Sequence, residues 1–148
     1  MLLGEGDMTR ADIEQRLAAH QAAFTRRNAE EIAAQHALDG THESPAHGLI
    51  TGRAEILAVY KYWYGAFPDF SLSWDSAIID PPRAAIFWTF EGTAAGPFFG
   101  DVKPGTRVMM RGAGEFVFGD DGIQSVRHIF DFSALLVSTG VLKIKPAC

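Results

Sequence analysis

The chain has a single cysteine, Cys148, so neither a disulfide framework nor a thiolate metal site can be drawn from it. Basic residues never run longer than the pair Arg26-Arg27, and the net charge is -5, so the cationic footprint that a phosphate backbone requires is missing. Nucleic acid is therefore not expected as a partner. No apolar stretch approaches the length of a membrane span, and the opening Met1-Leu2-Leu3-Gly4-Glu5-Gly6-Asp7 has neither a basic region nor an apolar run of signal-peptide length. A cytoplasmic, reducing location without membrane contact is the expectation. The GxGxxG, P-loop and GxSxG patterns are also lacking, which removes support for nucleotide chemistry and for the serine-hydrolase plan.

What remains is a globular composition, 47% hydrophobic and 21% charged over 148 residues, enough for one core. One domain over residues 9–140 is expected, with tails over 1–8 and 141–148; Met8 would serve as a start. Thr9 and Asp12 have capping-box spacing, and Ile13, Leu17 and Phe24 recur at helical intervals, which predicts a helix to about Arg27. Asn28 caps a second, short helix over Ala29 to His36, with Glu30 and Glu31 in its first turn. The two are expected to form a lid. A short strand near Thr41 to Ser44 follows. Gly52 then precedes a third helix whose Ile56, Tyr60, Trp63 and Phe67 form one apolar stripe, closed by Pro68.

Beyond Pro68 the period changes to two. Phe70, Leu72 and Trp74 alternate with polar residues, and after a turn at Asp80-Pro81-Pro82-Arg83 a strand over Ala84 to Thr93 places Ala84, Ile86, Trp88 and Phe90 on one face. Its other face, Ala85, Phe87, Thr89 and Glu91, is apolar enough to predict cover on both sides. A strand over Thr106 to Phe118, a turn at Asp120-Asp121-Gly122 and a strand over Ile123 to Phe132 complete an antiparallel meander. Helices first and strands afterwards predict an α+β fold, with the helices on one side and the third helix filling the concave face of the sheet.

The last hairpin yields a candidate site. With Asp121-Gly122 as the loop, Glu115 lies opposite His128, and Arg111 and Ala113 share that face with Val126 and Phe130. The other face then carries Met110, Phe116 and Phe118 with Arg127, Ile129 and Asp131, an arrangement that a β-bulge would break. Imidazole beside carboxylate suits a general base, and a nearby arginine suits an oxyanion. A cross-strand ion pair that merely holds the sheet edge accounts for the same residues equally well. His42 and His47 flank a loop but lack further ligands at metal spacing, so no metal is expected. His20 and His36 read as solvated. Tyr60 and Trp63 fit the core, or the wall of a pocket beside the third helix.

These elements resemble a known family. Gly52-Arg53 opens the long helix and Phe67-Pro68-Asp69 closes it, Pro104-Gly105-Thr106-Arg107 precedes a strand, and Asp121-Gly122-Ile123 leads into Arg127-His128-Ile129-Phe130-Asp131. Their order and spacing resemble the SnoaL-like branch of the nuclear-transport-factor-two-like superfamily, from about residue 10 to 140. The resemblance implies a cone-shaped barrel, a curved, mostly antiparallel sheet wrapped on a long helix. It also implies a homodimer packed through the sheet, with Phe116 and Phe118 on that outer face, and a pocket at the open end. Relatives of this kind include polyketide cyclases, which close a ring by aldol condensation without a cofactor, and limonene-type epoxide hydrolases.

In both groups the resemblance implies a catalytic aspartate on the final strand, a place taken here by His128, with Asp131 three residues on. The arginine and aspartate of the epoxide hydrolases fall at Thr89 and Glu91, so the arginine is missing. The expectation is a cyclase or isomerase for a hydrophobic carbonyl compound. His128 would be its base, Glu115 would orient the base, Arg111 would stabilise the enolate, and Glu91 would be a second acid. Tyr60, Trp63, Trp88, Thr89, Phe130 and His42 would hold the substrate. The alternatives are a non-catalytic binding protein with Trp63, Trp88 and Tyr60 as walls, and, third, epoxide hydrolysis by a water between Glu91 and His128.

Overall fold

The computed structural model describes residues 8–145, so the N-terminal tail falls outside it as far as residue 7 and the C-terminal tail from residue 146. Helix α1 (Arg10–Thr25) starts at the capping box read from the sequence. The Thr9 amide donates to Asp12 Oδ2 at 2.9 Å, and the Asp12 amide donates to Thr9 Oγ1 at 3.1 Å. Asn28 caps α2 (Ala29–Ala34), accepting from the Glu31 amide at 3.0 Å. This helix stops two residues before the predicted end because His36 already belongs to strand β1 (His36–Ser44), which pairs antiparallel with β2 (Gly48–Thr51). Helix α3 (Arg53–Ala66) buries Ile56, Val59, Tyr60, Trp63 and Ala66 and ends at the fully buried Phe67, ahead of Pro68.

Strands β3 (Ser71–Asp80), β4 (Arg83–Thr93), β5 (Arg107–Gly119) and β6 (Gly122–Phe130) follow, and α4 (Phe132–Thr139), which the sequence reading did not predict, closes the fold. The six strands form one sheet in the order β2-β1-β6-β5-β4-β3. Only the β1–β6 pair is parallel. Burial alternates strictly along β4, with Ala84, Ile86, Trp88 and Phe90 inside and Arg83 and Phe87 exposed. The inner residues pack against α1 and α3 in a single aromatic-rich core.

The hairpin between β5 and β6 departs from the expectation. Its loop is Asp120-Asp121, since Gly119 pairs with Gly122 and Phe118 with Ile123. The register then slips, Val117 pairs with Ser125, and Gln124 is left as the extra residue of a β-bulge. Beyond the bulge Gly114 lies opposite His128, and Glu115 lies opposite Arg127. Because side chains alternate with period two, this one-residue slip inverts the face assignment of β5 relative to β6. Phe116 and Phe118, expected outside, are buried inside, and Arg111 and Glu115 point outward.

Gly122 lies in the strand and not in the turn. It is a strand residue at φ 128, and a Cβ there would sit 2.5 Å from the Gln35 carbonyl oxygen. It is glycine for the close approach of the α2–β1 junction, to which the neighbouring Ile123 amide donates at 2.9 Å.

Candidate functional site

The inner face of the sheet and the helices line a cavity, partly open to solvent, with about 60 Å³ of room for the centres of water-sized molecules. That corresponds to roughly four to six waters. Its wall is assembled from Phe24 of α1, from Val59, Tyr60 and Trp63 of α3, and from the inward residues of β3 to β6, Trp74, Trp88, Phe116 and Phe130 among them. His42 and Ser44 of β1 and His128 of β6 complete it. Among the described residues no Asp, Glu, Lys or Arg lines the cavity. The polar groups that remain are two imidazoles, one phenol, one hydroxyl and indole N–H groups.

His42 and His128 stand beside one another, ring centroids 5.3 Å apart, because β1 and β6 are parallel neighbours. Burial pushes His128 down to about 4, with a smaller contribution from His36. Burial likewise holds His42 well below the ordinary histidine range, with His128 next in importance. Both rings are therefore neutral at pH 7. The Trp88 indole N–H donates to His128 Nδ1 at 3.2 Å. A neutral imidazole carries one proton, so this bond leaves it on Nε2, and His128 offers a donor there. Nδ1 of His42 is buried and has no hydrogen-bond partner within the protein. The Tyr60 ring meets His42 edge-on at 5.7 Å, and burial raises its phenol, which keeps it protonated.

Two further aromatic contacts fix the wall. The Trp63 indole N–H donates to His47 Nε2 at 3.0 Å, and the His47 amide donates to Ser44 Oγ at 3.1 Å. Phe98, fully buried, backs Trp63 with centroids 4.8 Å apart.

The residues expected in the site divide sharply. Tyr60, Trp63, Trp88, Phe130, His42 and His128 line the cavity. Glu115, Arg111, Glu91 and Thr89 do not. Glu115 is on the outer face, ion-paired to Arg83 and, at 3.4 Å, to Arg127, and the Arg83 bond lowers its pKa. Arg111 is exposed opposite Thr89, whose hydroxyl donates to Asp75 Oδ2 at 2.7 Å. Glu91 meets Arg107 at 3.6 Å. The bulge explains Glu115 and Arg111, whereas Thr89 and Glu91 follow from strict alternation with Trp88 and Phe90 on β4. Asp131 caps α4, accepting from the Ala134 amide at 2.9 Å. With Glu91 outside the cavity, a water held between Glu91 and His128 has no place there.

His20 and His36, expected in solvent, are buried with their rings 5.6 Å apart. Residue 20 continues the Ile13, Leu17, Phe24 stripe of α1, and Gln35 Oε1 lies 2.6 Å from its Nδ1. His36 Nδ1 lies 2.9 Å from the Ile32 carbonyl oxygen. Burial takes His20 down to about 3 and His36 to about 4. The cavity wall also takes in Trp74, whose alternation with Ser73 and Asp75 is visible in the sequence, and Met110 and Phe116, which a register without the bulge puts on the opposite face.

Among the described residues no three His, Cys, Asp or Glu side chains cluster to hold a metal ion, and no helix is long and apolar enough to cross a membrane. No functionally curated protein matches the sequence. Solved structures do resemble it. AclR of Streptomyces galilaeus is 26% identical with a TM-score of 0.79, over 93% of this chain and 87% of that one. TsrD of Streptomyces laurentii is 21% identical with a TM-score of 0.76, over 90% and 98%. A protein of ketosteroid-isomerase-like fold from Catenulispora acidiphila, solved with trimethylamine, is 20% identical with a TM-score of 0.73, over 86% and 94%. The cone-shaped α+β fold is thus shared. The family model described as SnoaL-like polyketide cyclase matches residues 14–137, from within α1 to the last turns of α4, so the elements that build the cavity all fall inside the match and the chain belongs to that family.

Proposed function

We propose that this chain is a cofactor-independent cyclase or isomerase acting on a small hydrophobic carbonyl compound, with the His42–His128 pair as its working groups. The observation that carries the reading is two neutral imidazoles side by side on the wall of an otherwise apolar cavity. His128, with its proton on Nε2, donates a hydrogen bond to the substrate carbonyl oxygen, as a neutral imidazole can when its basicity is depressed. The unprotonated nitrogen of His42 takes a proton from the adjacent carbon. The C–H bond breaks, its electron pair enters the enolate, and the charge is held by the His128 donor.

In a cyclisation the enolate carbon then attacks a second carbonyl of the same molecule. A C–C bond forms, and the proton on His42 returns to the new alkoxide. A weak base suits only an already acidic C–H, such as one between two carbonyls. The base role expected for His128 passes to His42 because Trp88 occupies the Nδ1 lone pair.

The test is α-proton exchange of an aromatic 1,3-diketone in D₂O, followed by NMR. The wild-type protein should accelerate exchange, and His42→Ala should remove the acceleration while binding, measured by calorimetry, persists. Binding without accelerated exchange in the wild type would refute the catalytic reading. It would instead support the second reading, a non-catalytic carrier of apolar molecules, which the apolar wall favours, since among the described residues no Asp, Glu, Lys or Arg lines it. Dimerisation belongs to the same proposal, through the outer face of the sheet, where Ile78, Phe87, Met109 and Ile129 are exposed. The cytoplasm, with its reducing conditions, is the compartment proposed.

A further inference from the structure

Strand β5 carries glycine at two successive inward positions, Gly112 and Gly114, between the inward Met110 and Phe116. Glycine in a strand interior weakens the strand, and it marks a bulge, a bend or the close approach of another group. Neither residue has positive φ, so backbone conformation does not require glycine there. Space does. A Cβ on Gly112 would lie 2.4 Å from Trp88 Cζ2, and one on Gly114 would lie 2.7 Å from His128 Nδ1.

The register explains the two contacts. Trp88 on β4 is directly opposite Gly112, and His128 on β6 is directly opposite Gly114. Strands β4 and β6 flank β5 and are not neighbours, so their backbones run roughly 9–10 Å apart. The two rings nevertheless meet, with centroids 5.8 Å apart and a 3.2 Å hydrogen bond from indole to imidazole. They do so by lying over the bare backbone of β5.

We propose that Gly112 and Gly114 are positioning residues of the site, which let Trp88 and His128 join across β5 and so fix His128 as the Nε2–H donor. The proposal rests on the reading of His128 as a donor to substrate. Its structural half, the seating of the two rings and the resulting tautomer, is measurable without substrate. A methyl group on Gly114 lifts the imidazole off the strand, detaches Nδ1 from the indole and lets the proton move between the ring nitrogens. Misplacement of this kind lowers kcat about 10²-fold while KM changes little.

The experiment is imidazole ¹⁵N NMR of His128 in the wild type, Trp88→Phe and Gly114→Ala, with thermal melts of Gly114→Ala in the wild-type and His128→Ala backgrounds. The wild type should show protonated Nε2 and bare Nδ1, and both variants should shift towards protonated Nδ1. Gly114→Ala should lower Tm in the wild type and not in His128→Ala, because two of the three atoms nearest to its methyl group belong to the His128 ring. If Gly114→Ala alone does not fold, a folded double variant supports the proposal and an unfolded one overturns it. An unchanged tautomer in Gly114→Ala, or an equal loss of Tm in both backgrounds, also overturns it. A tautomer shift in a protein that shows no turnover would leave the seating intact and count against the enzyme reading alone.

Discussion

The two faces of the sheet along β4, β5 and β6 are built from alternating residues of the same strands, yet they differ in kind. The outer face displays Arg83, Glu115, Arg127, Arg107 and Glu91, joined in exposed ion pairs that water screens. Among the described residues no Asp, Glu, Lys or Arg lines the cavity on the inner face, and its two histidines are held neutral by burial. Carboxylate and guanidinium look like catalytic equipment in a sequence, but here they make a wet surface. The groups placed where a small molecule would lose its water are imidazoles, indoles and a phenol.

Shifting the register should have the largest effect. Gln124 has no partner on β5, so deleting it leaves Val117 opposite Ser125 and Gly114 opposite His128, whereas inserting one residue between Val126 and Arg127 puts His128 on the side of Glu115 and turns the inward residues of the rest of β6 outward. The expected outcome of the insertion is loss of the folded state, read as loss of near-ultraviolet circular dichroism. A folded insertion variant with native spectra would mean that the register does not set the faces.

Acid is the next lever. His20, His36 and His128 have folded-state pKa values of about 3, 4 and 4, below the unfolded value near 6.5. The unfolded chain therefore binds more protons between these limits, so stability is intact above about pH 6.5 and falls as pH drops towards 4. His128 alone contributes a loss on the order of 3 kcal/mol. Urea unfolding at pH 7 and pH 4.5 checks this, and the outer carboxylates, already ion-paired and exposed, should add little over that interval. Smaller is the contrast between aromatic residues on the two sides. Trp63→Ala should cost about 3–5 kcal/mol, against less than about 1 kcal/mol for the half-exposed Phe87→Ala in the monomer. Chemical denaturation measures both. Smallest of all, Glu115→Ala should leave Tm almost unchanged.

Much of the inner face could be read from the sequence, because it follows from period. The stripe Ile56, Tyr60, Trp63 and Phe67 needs only helical spacing, Trp88 and Phe90 need only alternation, and Thr9 with Asp12 marks the first helix by its own capping chemistry. Pairing Trp88 with Thr89 as substrate contacts contradicted that same alternation. What stayed hidden depends on two segments at once. Gln124 is an ordinary surface residue in sequence, and Gly122, which reads as a turn glycine, packs instead against the Gln35 carbonyl. The burial of His20 and His36 depends on partners supplied by Gln35 and Ile32. The meeting of Trp88 with His128 depends on the strand between them.

The roles of the two faces are tested most directly by comparing turnover of His128→Ala with that of Glu115→Ala, on one carbonyl substrate and under identical conditions. His128→Ala should lose about 10²–10³-fold, the scale of removing one oxyanion donor, and Glu115→Ala should stay within about threefold of wild type. A comparable loss in Glu115→Ala, or none in His128→Ala, would contradict these roles.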